Sequence, residues 1–279
     1  MLRNISSSNG RIALKFRELR ARGEGALIAY LTGGDPDPDS FLANAGALVE
    51  GGADIIEVGI PFSDPIADGP VIQASSQRTL AKRVTPRKVL GLVSKVSKAH
   101  DVPIVLLSYY NPIMAAGEHS FMELAEQSGV NGVVIPDLSV EESDLLCEAS
   151  RKHHIDTIFL GAPNTPSSRL KMLLDKSQGF FYLVSLFGVT GPRKELSPDA
   201  LNLVKRVKSI AKDKIPVAAG FGVSLPKHVS DLISSGADGA IIGSALVEIV
   251  TRNLESPEKA SIQLRETVSE LKRATRALE

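Results

Sequence analysis

The chain has 279 residues and a formal net charge of zero, with 32 basic side chains balanced by 32 acidic ones. No block of like charge supplies the basic footprint of a nucleic-acid binder, and no apolar run approaches the roughly 18 residues of a membrane span. The single cysteine, Cys147, excludes an internal disulfide and fits a reduced, cytoplasmic protein.

Residues 1–10 lack acids and contain serines, as transit peptides do, but they are few and run into a charged helix, so a frayed arm is expected. An amphipathic helix over Arg11 to Arg22 precedes the first strand, Ala26 to Leu31. Helical periodicity over Asp39 to Glu50 leads to a second strand around Ile55, Ile56, Val58 and Ile60. Two helical tracts follow, Val71 to Leu80 and Pro86 to Ala99, and then a strand from Pro103 to Leu107. A helix near Ser120 to Gln127 gives way to the strand Gly132 to Ile135. Ser139, with Glu142 three residues on, predicts a capping box opening a helix that runs to His153. The strand Thr157 to Leu160 and the helix Pro166 to Lys176 come next. Strands at Phe180 to Val184, Pro216 to Ala218 and Gly239 to Ile242 alternate with helices at Pro198 to Ala211 and Pro226 to Ser234. A helical region from Ser244 onward closes the chain.

Eight strands, each followed by helix, argue for a parallel sheet, because right-handed helical crossovers join parallel neighbours. Glycine recurs at one αβ joint, before Ala53-Asp54, Val130-Asn131 and Ala237-Asp238, where it supplies the left-handed residue that ends a helix. No Pro/Gly/Ser linker divides the chain. The expected architecture is one (β/α)8 barrel over residues 1–279 with an extra N-terminal helix; a six-stranded doubly wound sheet is the alternative.

Within that pattern Glu57 is out of place. It is a carboxylate inside an apolar strand, where an unpaired charge is costly unless its pKa rises. The loop that follows carries Asp64 and Asp68. A buried acid and a solvated one in unlike environments can supply an acid and a base at one pH. A structural pairing of Glu57 with a lysine or hydroxyl, and a turn-making role for Asp68 before Gly69, are the plain alternatives. Glycine-rich segments follow the last three strands: Gly188 to Gly191, Gly220 to Gly222, and Gly243-Ser244. Backbone N–H groups there can cradle an anion without lysine or arginine, at the position where many barrels bind phosphate. Tyr182 could reach the barrel mouth or fill the core, and the same holds for Tyr109, Tyr110 and Asn111. Phe62, Phe187 and Phe221 are candidates to line an apolar pocket. The five histidines lack ligand spacing, so no metal is expected.

The string Glu57-Val-Gly-Ile-Pro-Phe-Ser-Asp-Pro-Ile-Ala-Asp-Gly-Pro70 resembles the signature of the tryptophan synthase alpha family. Tyr30 to Pro36, Tyr109 to Ile113, Val134 to Asp137, Ser185 to Gly191 and Gly220 to Gly222 resemble further family segments in the same order. The resemblance implies a barrel lyase that cleaves indole-3-glycerol phosphate to indole and glyceraldehyde 3-phosphate. It implies catalytic roles for Glu57, Asp68 and Tyr182, and phosphate contacts from Thr190, Gly191, Gly220, Gly222, Gly243 and Ser244. It also implies a substrate pocket including Tyr30 and Phe221. Phe62, Asp64 and Pro65 are the expected contact with a beta subunit in an α2β2 heterotetramer; pyridoxal phosphate is expected on that subunit and no cofactor on this chain. Leu186-Phe187 depart from many bacterial members. A stand-alone indole-releasing lyase and a non-catalytic barrel that activates a partner are the competing readings.

Overall fold

The structure, a computed structural model, describes residues 10–184 and 195–276. Short aliphatic runs bounded by turn residues form strands that are buried on both faces, as parallel sheets require. They are β1 (Ala26–Thr32), β2 (Ile55–Gly59), β3 (Ile104–Leu107), β4 (Gly132–Val134), β5 (Asp156–Ile158), β6 (Leu160–Gly161), β7 (Phe181–Val184), β8 (Val217–Gly220) and β9 (Gly239–Ile242). All pair in parallel, in the order β5-β4-β3-β2-β1-β9-β8-β7-β6.

The two ends of that order, β5 and β6, are consecutive in the chain and separated only by Phe159. Its N–H lies 3.3 Å from the Ser177 hydroxyl rather than on a neighbouring strand. The expected fifth strand is therefore present but interrupted, and its halves join β4 on one side and β7 on the other. That closes a (β/α)8 barrel.

Strand alternation sorts the core into two layers. Leu27, Ala29, Ile56 and Val58 face outward to the helices. Ile28, Ile55, Val105, Val134, Ile158, Tyr182, Ala218 and Ile241 face inward. The helix Arg11–Ala21 closes one end of the barrel by inserting Ile12, Phe16 and Leu19 into the inner cluster. Gly132 has no side chain where the Ile12 and Ile158 methyls meet: a Cβ there would lie 2.8 and 3.0 Å from them. The glycines at the recurring αβ joint, Gly52, Gly129 and Gly236, all have positive φ, at 99°, 84° and 97°.

Three elements depart from the sequence expectation. A helix forms over Tyr110–Ala116, a stretch to which the sequence reading assigns no element; Pro112 falls in its first turn, where a missing N–H is tolerated. The capping box does not open a helix: the Ser139 hydroxyl donates to the Glu142 carboxylate at 2.9 Å within a turn, and the helix begins at Asp144. The C-terminal region splits at Asn253–Ser256 into helices Ser244–Arg252 and Pro257–Arg273. Cys147 is a free, buried packing residue.

One buried ion pair ties together the elements that follow β1, β2 and β9. Arg78, on the helix Pro70–Ala81, donates to Asp35 at 3.1 and 2.8 Å and to the Thr251 hydroxyl at 3.0 Å. Asp35 is almost fully buried. Removing the guanidinium would leave its carboxylate without that charge, so Arg78→Ala should cost about 3 kcal/mol. A urea midpoint shift measures it.

Candidate active site

The site sits where the inward rungs run out of aliphatic side chains. Ile28 and Ile55 fill one layer; two residues on along each strand come Tyr30 and Glu57, which are register partners across β1 and β2. The next inward position on β2 is Gly59, and a Cβ there would lie 2.1 Å from the Tyr30 hydroxyl oxygen. Glycine at 59 thus gives the phenol its place beside Glu57. Tyr182 of β7 stands over Gly220 in the same way, with a Cβ at 220 only 3.2 Å from its ring.

Glu57 is 1% exposed. Neither carboxylate oxygen has a hydrogen-bond partner among the described residues, so the structural pairing considered from sequence is absent there. Burial, and after it the negative charge of Asp68, pushes this carboxyl up to about 8. An unsatisfied buried carboxyl is costly to the fold, and such groups gather where chemistry is done.

Asp68 lies on the loop between β2 and the helix Pro70–Ala81. The sequence suggested a solvated acid; the structure half-buries it. Its pKa is pushed up to about 6 by burial, against a hydrogen bond with Tyr109 that lowers it. At neutral pH the pair therefore holds one protonated and one ionised carboxyl. Tyr30 and Tyr182 are both raised well above the ordinary phenol value, burial being the main cause, and remain neutral.

Asp68, Tyr30 and Tyr182 border a cavity of about 270 Å³ at the C-terminal ends of the strands, whereas the buried Glu57 is not among its lining residues. Tyr30, Asp68, Tyr182, Gly220, Gly222, Gly243 and Ser244 are among the residues that line it. No lysine or arginine does so among the described residues. Gly243 and Ser244 open the helix Ser244–Arg252, whose N-terminal dipole and backbone N–H groups suit an anion. Gly222 has φ +72° and open space around its Cα, so backbone can face a ligand directly. Thr190, Gly191 and Leu186-Phe187 lie outside the described residues.

Phe221 departs from expectation. It is not among the cavity-lining residues and packs against the outer core, while Val223 lines the cavity instead. Sequence reasoning missed the opposite wall, which Pro136, Leu160, Ala162 and Thr165 supply. Alternation from Ile158 was the signal for Leu160, and the proline-bounded turn from Ala162 to Pro166 for Ala162 and Thr165; Pro136 lies in the Val134 to Asp137 segment.

Phe62, Asp64 and Pro65 lie together on the loop before Asp68. The Phe62 ring is stacked on Tyr109 at 5.1 Å and 24°. Asp64 is exposed and accepts from the Ser63 hydroxyl at 2.5 Å. Ile66, at 77% exposure, leads the apolar surface of the same loop. Beyond Phe62 runs an apolar groove of about 940 Å³ that includes Leu80, Val84, Leu90, Pro112 and Phe121. No metal-holding cluster of His, Cys, Asp or Glu occurs among the described residues.

Fold and mouth define a class: a β/α barrel with two carboxyls of raised pKa and a glycine-bordered cavity at the C-terminal ends of its strands. Comparison with known proteins narrows it. The family model described as tryptophan synthase alpha chain matches residues 16–276. The alpha chain of Methanoregula boonei is 43% identical over 265 residues, covering 95% of this chain and 98% of its own length. That of Arabidopsis thaliana is 39% identical over 274 residues, covering 98% of each. Among solved structures, tryptophan synthase from Mycobacterium tuberculosis superposes with a TM-score of 0.87 at 38% identity, covering 96% of this chain and 99% of that one. The tryptophan synthase complex from Pyrococcus furiosus gives 0.82 at 44% identity over 89% and 98%. The chain belongs to the tryptophan synthase alpha chain family.

Proposed function

We propose that Glu57 and Asp68 carry out the family's lyase reaction on this chain, the retro-aldol cleavage of indole-3-glycerol phosphate. The observation that carries this reading is Glu57 itself, a carboxyl with both oxygens unpartnered and a pKa of about 8, facing an ionised Asp68. Protonated Glu57 gives its proton to indole C3, and positive charge develops on the ring nitrogen. The Asp68 carboxylate accepts the indole N–H and stabilises that charge. Glu57, now a carboxylate, takes the proton from the C3′ hydroxyl as the C3–C3′ bond breaks. Indole and the aldehyde leave, and Glu57 is protonated again.

Tyr182 and Tyr30 flank Glu57 as neutral phenols. Gly220, Gly222, Gly243 and Ser244, with Thr190 and Gly191, are the proposed phosphate cradle. The sequence consists of proton transfers between this chain's own carboxyls and the substrate, so it calls for no cofactor here.

The Pyrococcus furiosus relative is described as an α2β2 complex. We extend that assembly to this chain, with Phe62, Asp64 and Pro65 meeting a beta subunit that carries pyridoxal phosphate and consumes the indole. The exposed Ile66 and the apolar groove beside Phe62 support that face. Indole release by the purified chain should rise about tenfold or more when a beta subunit is added. Equal release with and without it would establish the stand-alone lyase instead, and no cleavage in either case the non-catalytic barrel.

A further inference from the structure

Tyr109 is a fully buried tyrosine at the end of β3, 1% exposed, with a hydroxyl in unusual company. Its oxygen accepts the backbone N–H of Ala67 at 2.9 Å, one residue before Asp68. Its ring is the surface on which Phe62 stacks at 5.1 Å. Six positions of one loop are thus fastened to one side chain, at the proximal end through its ring and at the distal end through its oxygen. Once that oxygen accepts from Ala67, the phenol proton is left to donate, and the Asp68 carboxylate is the acceptor it meets.

We propose that Tyr109 is the positioning residue for Asp68: its phenol O–H donates to the carboxylate, and its stack with Phe62 links that carboxylate to the exposed part of the same loop. The inference rests on the catalytic role proposed for Asp68. A donor to the charged form keeps the carboxylate ionised in a site where burial works against it. Asp68 interacts electrostatically with Glu57 of β2, Tyr30 of β1, Tyr182 of β7 and Tyr109, just past the end of β3. Of these, Tyr109 is the one whose hydrogen bond lowers it. Asp137, which fixes the chain next to Tyr109 by accepting the Tyr110 N–H at 2.9 and 3.1 Å, is the remaining acid close to the phenol.

Tyr109→Phe keeps the stack and removes the oxygen. The Asp68 carboxyl carbon, followed by NMR titration of the full chain, should titrate about half to one pH unit higher than in the native protein. The acidic limb of kcat/KM for indole-3-glycerol phosphate cleavage should move up with it. At the optimum, kcat should fall about tenfold with KM held within about twofold, because orientation of the charge is lost rather than substrate contact. An unmoved Asp68 titration overturns the proposal. A raised titration with unchanged turnover also overturns it, leaving a contact that does not position Asp68 for the reaction, whereas native kcat in Asp68→Asn removes the catalytic role of Asp68 itself, so the two failures are distinguishable. Phe62→Leu serves if the first variant does not fold. It keeps the phenol but loosens the ring, and should raise the Asp68 titration by a smaller amount; no change there also overturns the proposal.

Discussion

Glu57→Gln is expected to lower kcat for indole-3-glycerol phosphate cleavage by about 10³–10⁴-fold and, at alkaline pH, to make the protein more stable than the native chain. The first effect follows from losing both proton transfers, each typically contributing about 10²–10⁴. The second follows from linkage. Folding raises the Glu57 carboxyl from an ordinary 4.5 to about 8. Between those values the native state holds a proton that the unfolded chain has released, so native stability falls as pH rises through that window. A shift of that size corresponds to a loss on the order of 4 kcal/mol above pH 8. A glutamine cannot ionise and escapes it. Its amide would be buried where the carboxyl had no partner, at a cost of about 1–3 kcal/mol. The charge effect is the larger, so the variant should gain at pH 9 and lose slightly at pH 4. Urea midpoints at the two pH values, with phosphate-analogue binding as a control on the cavity, measure both. Native turnover in the variant would remove Glu57 from the reaction, and a stability difference independent of pH would remove its raised pKa.

What the sequence carried and what it withheld divide along the range of the interactions involved. The barrel was legible because strand burial and helix periodicity are local, and because Gly52, Gly129 and Gly236 mark the same joint three times. Glu57 was legible for the same reason: an acid in an apolar strand is conspicuous, and alternation from Ile55 aims it inward. The break at Phe159 was not, since it depends on Ser177 approaching from the end of the next helix. Asp68 shows the limit most clearly. From sequence it is an acid before a Gly-Pro turn and should be solvated. Tyr109, more than forty positions away, draws its loop over the mouth and half-buries it. Phe221 is a different case, because an aromatic flanked by glycines is apolar enough for a pocket, yet it packs against the outer core, and Val223 of the same segment borders the cavity.

Asp68→Asn should lower kcat by about 100-fold and redraw the pH profile. The proposed reaction needs Asp68 ionised and Glu57 protonated, so kcat/KM of the native protein should rise through about 6 and fall through about 8. The two limbs belong to the pair rather than to either residue alone. Asparagine keeps an oxygen that can accept the indole N–H, so binding should change little. It removes the negative charge that stabilises the cationic ring, a contribution felt mainly in the transition state and hence in kcat. The acidic limb should disappear. Less obviously, the alkaline limb should move below its native position, because the Asp68 charge is the second cause holding Glu57 up, after burial. With that charge gone, burial alone raises the carboxyl and it loses its proton at lower pH. A plot of kcat/KM for both proteins between pH 5 and pH 9.5 carries the test. An alkaline limb that stays in place would mean the two carboxyls do not sense each other. A variant with native kcat would mean the developing charge on indole is stabilised by some other group.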